Sequence, residues 1–197
     1  MKKINKFFFV LLFFTLLPTS TFANNKILSI GTVKSEITIK VFSSLTCPHC
    51  ANFHENIFEK LKKEYIDKGI VKFEHHSFPL DLAALNAEII IRCHENNSKS
   101  FQLLSEIYKK QSEWAVGSDI NIINKSIKKI GFNSGLSNNK MDNCLKNENA
   151  QDQILNERIE AQKKYKIQST PTIYINNKQY NGDHDYKELR KEIKKLL

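Results

Sequence analysis

Two cysteines, Cys47 and Cys50, enclose a Pro-His pair in the stretch SLTCPHCANFHENIF, residues 44–58. Thiol–disulfide exchange needs one sulfur that can carry a negative charge and a second sulfur close enough to displace it. A spacing of three residues at the start of a helix places both side chains on one face of that helix. The pair could therefore exchange electrons with other thiols, bind a metal ion or form a fixed crosslink.

The residue types around the pair favour electron exchange over the two other interpretations. A structural zinc site typically has four Cys or His ligands, often from two Cys-x-x-Cys pairs, and the sequence has no second such pair. A fixed disulfide at this spacing closes too small a loop to restrict the unfolded chain much. His54 follows Cys50 by one helical turn, and we expect it on the surface or in a groove rather than as a ligand. The sequence therefore predicts no metal site and no cofactor.

The predicted helix start favours a thiolate at Cys47. The first turn of a helix has unpaired backbone N–H groups and the positive end of the helix dipole. Pro48 suits the first helical position, where its missing N–H costs nothing. His49 adds a dipole and, when protonated, a positive charge, and both lower the pKa of the Cys47 thiol. Cys50 is then the buried resolving thiol, and the stabilised thiolate makes the disulfide a stronger oxidant.

The N-terminal residues have the composition of a secretory signal peptide. Three lysines precede an apolar run over residues 7–17, and small residues then lead to a predicted cleavage site after Ala23. The run is shorter than the roughly 17 to 25 apolar residues that span a bilayer, so cleavage is favoured over a retained membrane anchor. We therefore predict a signal peptide over residues 1–23 and a mature chain over residues 24–197 that is exported to an oxidising compartment. Disulfides persist in such an oxidising compartment.

Charge and the remaining cysteines restrict the function further. The formal net charge is +9, but the lysines are spread over helical faces without a basic block, which disfavours nucleic-acid binding. Cys93 and Cys144 are left as an even pair, for which a structural disulfide is the simplest interpretation and two buried free thiols the alternative. Closing their loop would contribute roughly 4 kcal/mol to stability.

The order of predicted elements indicates the fold. Residues 36–42 alternate as a half-buried strand, and a helix runs from Pro48 to a C-cap at Gly69. A second strand follows over residues 70–78. Residues from about 80 to 165 show only helical apolar stripes. The segment TIYINNKQY then predicts a hairpin with a two-residue turn at Asn176 and Asn177, and a helix over residues 184–197 ends the chain.

These elements predict an α/β thioredoxin-like fold. The first strand–helix–strand unit implies a parallel pair with a right-handed crossover, and the late hairpin makes the sheet mixed, with helices covering it. A Cys-x-x-Cys pair directly after the first strand is typical of this arrangement, here with an inserted all-helical subdomain at about residues 80–165. In that fold the loop before the hairpin lies against the cysteine pair. A cis Thr170–Pro171 bond would there present the Thr170 backbone to an incoming peptide.

The segments ITIKVFSSLTCPHCANFHE and IQSTPTIYINNKQYNG together resemble the DsbA-like periplasmic thiol:disulfide oxidoreductases, and the resemblance covers nearly all of the mature chain. It implies that substrate attacks Cys47, that Cys50 resolves, that Pro48 and His49 tune the redox potential, and that Thr170 and Pro171 hold substrate. It also implies reduced exported proteins as substrates. A quinone-linked membrane oxidase is implied as the partner that restores the disulfide.

Two positions depart from the enteric oxidant of this family. That protein has a buried glutamate on the strand before the active site, where this sequence has Val41, which cannot relay a proton for Cys50. It also has valine before the cis-proline, whereas Thr170 is similar to the isomerase and reductase relatives. Those relatives usually carry a preceding dimerisation domain, and the stretch from Asn24 to the first predicted strand is too short for one. We therefore expect a monomeric oxidase that introduces disulfides into exported proteins.

Two alternatives remain at this point. A disulfide isomerase or reductase of the same fold is the first. A redox-silent peptide-binding or holdase module is the second, and the intact set of Cys47, Cys50, Thr170 and Pro171 disfavours it.

Overall fold

The predicted Cys47–Cys50 site lies next to a five-stranded mixed sheet. The computed structural model describes residues 27–197, so the predicted signal peptide lies outside the described residues. The strands are β1 (Leu28–Ile30), β2 (Ile37–Ser43), β3 (Val71–Ser77), β4 (Thr172–Ile175) and β5 (Lys178–Gln179), in the spatial order β1-β3-β2-β4-β5. Only β2 and β3 pair in parallel, and the other neighbours are antiparallel.

Helices cover the sheet and fill the chain between β3 and β4. They are α1 (residues 48–66), α2 (Leu82–Arg92), α3 (Asn97–Lys109), α4 (Gln111–Trp114), α5 (Ile120–Asn133), α6 (Asn138–Leu145), α7 (Glu148–Tyr165) and α8 (Tyr186–Lys194). The predicted thioredoxin-like fold with a helical insertion is confirmed. Within residues 27–197, none of these helices has the length and apolarity required to cross a bilayer.

The central strand β2 ends directly before the segment that contains Cys47. It lies between β3 and β4, and its apolar residues Ile37, Ile39 and Val41 are buried, as the alternating pattern predicts. Ser43 pairs with Ser77, so β2 and β3 end at the same edge of the sheet. Ligand sites of open sheets lie beyond the carboxyl ends of the parallel strands. Residues 44–47 follow β2 at this edge and lead into α1.

Three local features differ from or refine the predicted elements. The edge strand β1 was not predicted, because three residues are too few to show a period of two. Helix α1 contains two π-helical segments, His54–Phe58 and Lys62–Ile66, and is less regular than the predicted helix. The hairpin turn has Asn176 at a φ of 54°, a left-handed conformation that asparagine tolerates, and its Oδ1 accepts from the Thr38 N–H at 2.8 Å.

Candidate active site

Cys47 occupies the N-cap of α1. Its backbone is extended, at φ −80° and ψ 118°, and Pro48 follows at the start of the helix. The Cys47 carbonyl accepts from the N–H groups of Cys50 at 3.0 Å and Ala51 at 3.2 Å. Both cysteines are buried, with 7% of Cys47 and 1% of Cys50 exposed, whereas Pro48 and His49 are exposed. The helix start thus places one sulfur at the surface of the site and the other beneath it.

The surroundings of Cys47 favour its thiolate. They lower the pKa of this thiol from 9.0 to about 5. The largest contribution is a hydrogen bond from the Cys50 thiol; burial opposes it, and the Thr170 side chain and the backbone N–H groups of Cys50 and His49 add to it. Hydrogen bonds to the charged form favour that form. Cys47 is therefore ionised at neutral pH in the reduced protein.

Cys50 has the opposite behaviour. Burial raises the pKa of its thiol far above the ordinary range, and the neighbouring Cys47 sulfur raises it further. Cys50 therefore keeps its proton when Cys47 is a thiolate. This division lets Cys50 donate to the Cys47 sulfur and makes Cys47 the better leaving group, because a thiol of lower pKa leaves faster.

The loop before β4 lies against the Cys47 sulfur, as the fold predicts. The Thr170–Pro171 peptide bond is cis, and the Cys47 sulfur lies 3.3 Å from the Thr170 carbonyl oxygen, to which it donates only in its protonated form. The structure thus brings Cys47 and Cys50 together with Thr170 and Pro171, which lie more than a hundred residues further along the sequence. The predicted tuning by Pro48 and by the His49 side chain stays a prediction.

The helical insertion holds the loop before α1 through side chains that the sequence did not single out. The Gln111 amide donates to the carbonyls of Leu45 at 2.7 Å and Cys47 at 3.1 Å. The Thr46 hydroxyl donates to Asp81 Oδ2 at 2.7 Å, and Asp81 also caps α2. An aspartate before an apolar helix is a recognisable N-cap, so Asp81 had a sequence signal. Gln111 had none, because a glutamine in a helical region is ordinary.

His54 is buried, so its expected position on the surface or in a groove was wrong. It lies one turn after Cys50 on the same face of α1, and helix α3 covers that face. Its ring stacks on Phe58 at 4.4 Å and on Tyr108 at 4.9 Å between centroids, and its Nε2 shares a hydrogen bond with Ser105 Oγ at 2.8 Å. Burial, aided by His75, lowers the pKa of His54 to about 3, so the ring is neutral.

His75 and His76 lie on opposite faces of β3, as predicted for adjacent strand residues. His75 is buried and its Nε2 lies 3.1 Å from Glu88 Oε2, whereas His76 is half-buried beside Glu74 at 3.0 Å. His75 and Arg92 hold the pKa of Glu88 below its usual range although burial opposes this. His75 is also the β3 neighbour of Val41. These contacts give both histidines structural partners.

The other two cysteines lie in the helical insertion. Cys93 follows α2, Cys144 lies in α6, and their sulfurs are 1.99 Å apart in a disulfide that joins positions 51 residues apart. Among residues 27–197, no three His, Cys, Asp or Glu side chains converge in a group that could bind a metal ion. Cys47 and Cys50 are therefore the free thiols of the described chain.

Comparison with known proteins identifies the family. The thioredoxin family model matches residues 23–195. The chain belongs to the thioredoxin family. Disulfide bond formation protein D of Bacillus subtilis is 30% identical over 177 residues, which cover 85% of this chain and 76% of that protein. A Rickettsia typhi protein, provisionally named a protein-disulfide oxidoreductase, is 28% identical over 79% of this chain, and the match spans 57% of that protein.

Solved structures agree with this assignment. The crystal structure of Wolbachia pipientis alpha-DsbA1 superposes with a TM-score of 0.79 at 27% identity, covering 92% of this chain and 93% of that one. BdbD from Bacillus subtilis shares the fold with a TM-score of 0.66 at 24% identity, over 86% of this chain and 92% of that one. The resemblance to DsbA-like disulfide oxidoreductases is confirmed.

Proposed function

We propose that this protein is an exported dithiol oxidase that introduces disulfides into other exported proteins through Cys47 and Cys50. The observation that carries the proposal is the opposite ionisation of the two sulfurs, with the pKa of Cys47 at about 5 and that of Cys50 raised by burial. A stabilised thiolate stabilises the reduced form of the pair. Electrons therefore flow from substrate thiols toward this protein.

The reaction has two exchange steps. A substrate thiolate attacks Cys47 in the Cys47–Cys50 disulfide, a mixed disulfide forms, and Cys50 leaves with the electron pair and takes up a proton. A second substrate thiolate then attacks the substrate sulfur of the mixed disulfide and releases Cys47 as a thiolate. The substrate loses two electrons and gains a disulfide, while the cysteine pair is reduced.

The backbone of Thr170 is the proposed contact for the substrate chain. The Thr170 carbonyl lies 3.3 Å from the Cys47 sulfur, so a peptide that pairs with this backbone would bring its cysteine to the reacting atom. Main-chain pairing of this kind gives affinity with little dependence on substrate sequence. Pro171 has no backbone N–H of its own that could compete with Thr170 for the substrate chain.

The catalytic cycle requires a partner that restores the disulfide. We propose a quinone-linked membrane oxidase for this step, a signal peptide cleaved after Ala23, a periplasmic location and a monomeric state. The relatives named as disulfide bond formation protein and as DsbA support a role in forming disulfides.

A disulfide isomerase or reductase of the same fold is the second candidate, because Thr170 is similar to the residue that such relatives carry. Each unit by which the Cys47 pKa lies below ambient pH favours the reduced form by about 30 mV, so a low pKa supports the oxidase. The deciding measurement is the reduction potential against glutathione, together with refolding of a reduced and of a scrambled test protein. Oxidation without unscrambling supports the oxidase, whereas a potential at or below that of glutathione supports the reductase.

Variants of the two cysteines test the assigned roles. Cys50→Ala should accumulate mixed disulfides that form when the Cys47 thiolate attacks a disulfide of an exported protein, because Cys50 is no longer present to attack Cys47 and release that protein. Cys47→Ala should accumulate none. Non-reducing electrophoresis followed by mass spectrometry measures both. Identical behaviour of the two variants would instead support a redox-silent peptide-binding module.

A further inference from the structure

One face of α3 and α4 contacts the catalytic helix and the loop before it through polar side chains at a spacing of three residues. Ser105 shares a hydrogen bond with His54 at 2.8 Å, and the Tyr108 ring stacks on the His54 ring at 4.9 Å. Gln111 is the next position along this face and reaches beyond the helix to the loop. The helical insertion thus contacts α1 and the segment that carries Cys47.

The Gln111 amide joins two peptide planes of the loop. The residue is only 9% exposed, and its Nε2 donates to the carbonyls of Leu45 at 2.7 Å and of Cys47 at 3.1 Å. These carbonyls belong to the peptide units before Thr46 and after Cys47. The φ and ψ angles of Thr46 and of Cys47 all lie between these two carbonyls. Because one amide group binds both carbonyls, it restricts these four angles.

Gln111 is itself firmly placed. It is the first residue of α4, where its carbonyl accepts from the Ala115 N–H at 2.9 Å. Trp114, in the same short helix, is 1% exposed and its indole N–H donates to the Ile107 carbonyl at 2.8 Å. The indole therefore ties α4 to the end of α3. The backbone that carries the Gln111 side chain is therefore held in place by these contacts.

The orientation of the Cys47 backbone decides where its sulfur lies. The N–H groups of His49 and Cys50 act on this sulfur only while it stays over the helix N-terminus. We propose that Gln111 is a positioning residue that holds the loop before α1 so that the Cys47 sulfur stays over the N-terminus of the catalytic helix. The inference rests on the proposed function, for which the thiolate at this position is required.

The test is the titration of Cys47 in Gln111→Met, which keeps the length of the side chain and removes both donors. The rate of alkylation of Cys47 against pH, followed by mass spectrometry of the reduced protein, gives its pKa. We expect the pKa to rise by about one unit, a tenfold loss of thiolate preference, because two hydrogen bonds of the loop are lost. The same tenfold change lowers the reduction potential by about 30 mV.

A matched control separates positioning from general stability. Ile127→Val removes a buried methyl group from α5, in the same helical insertion, and removes neither of the two hydrogen bonds that Gln111 donates to the loop. It should lower the melting temperature and leave the Cys47 pKa and the potential at their original values. If Gln111→Met also loses only melting temperature, with the pKa and potential unchanged, Gln111 is merely structural and the inference is overturned.

A second variant covers the case in which Gln111→Met folds too poorly to titrate. Gln111→Asn retains the amide but shortens its reach by one methylene, and it should also raise the Cys47 pKa; an unchanged pKa overturns the inference. The unmodified protein separates this result from the proposed function. If its Cys47 titrates near 9.0, the oxidase proposal itself fails, whereas a low pKa that Gln111 variants do not move rejects only the positioning role.

Discussion

Replacing Cys50 by alanine should raise the pKa of Cys47 only part of the way to its ordinary value. In the reduced protein the Cys50 thiol is the largest favourable influence on the Cys47 thiolate, and the N–H groups of the first helical turn add to it. The substitution removes the thiol and leaves the backbone N–H of residue 50 in place. It therefore separates the side-chain contribution from that of the helix N-terminus.

The size of the change follows from the energy of one charged hydrogen bond. Such a bond contributes about 1.5 to 3 kcal/mol, and one pKa unit corresponds to about 1.4 kcal/mol. Loss of the Cys50 thiol should then raise the pKa of Cys47 by about one to two units. From the present value of about 5, the titration should move to about 6 to 7, still below the ordinary 9.0.

The assay is the far-ultraviolet absorbance of the thiolate, followed across the acid and neutral range with Cys93 and Cys144 kept as a disulfide. Cys50→Ser is the matched control, because its hydroxyl restores a donor at the same position and should return the pKa toward that of the unmodified protein. A Cys50→Ala titration that remains at about 5 would show that the Cys50 thiol does not donate. A titration near 9.0 would show that the helix N-terminus contributes nothing.

Two further predictions concern stability. The pKa of Cys47 is about 5 when folded and 9.0 as an ordinary thiol, so ionisation stabilises the reduced protein above pH 5 and the gain is lost as the pH falls through 5. At neutral pH we expect this ionisation to add about 2 kcal/mol to the free energy of unfolding of the reduced protein, after solvent screening at the site. The measurement is urea unfolding of the reduced and of the oxidised protein across the pH range. Equal pH dependence of the two forms would contradict the prediction. Replacing both Cys93 and Cys144 by alanine removes the disulfide that joins positions 51 residues apart. It should lower the free energy of unfolding by about 4 kcal/mol without moving the Cys47 pKa, and a loss below about 1 kcal/mol would contradict the assigned structural role.

Local sequence was sufficient to predict the reactive end of the catalytic helix. An extended residue before Pro48 becomes the N-cap, and the backbone N–H groups of His49 and Cys50 in the first turn then lower the pKa of the Cys47 thiol. These effects involve only neighbouring residues, so the spacing of Cys47 and Cys50 already predicts which sulfur is the thiolate. The strand–helix order similarly predicts the mixed sheet, because burial periods of two and of 3.6 can be recognised in single segments.

The sequence by itself thus determined the type of chemistry and the fold, whereas the tertiary structure decided what supports the reactive sulfur. The burial of His54 and the two hydrogen bonds from Gln111 depend on which helix face packs against α1. The pairing of β1 with β3 likewise depends on a strand more than forty residues away. Such contacts are set by the mutual packing of distant segments, and neither periodicity nor a local motif records which distant side chain will be the partner.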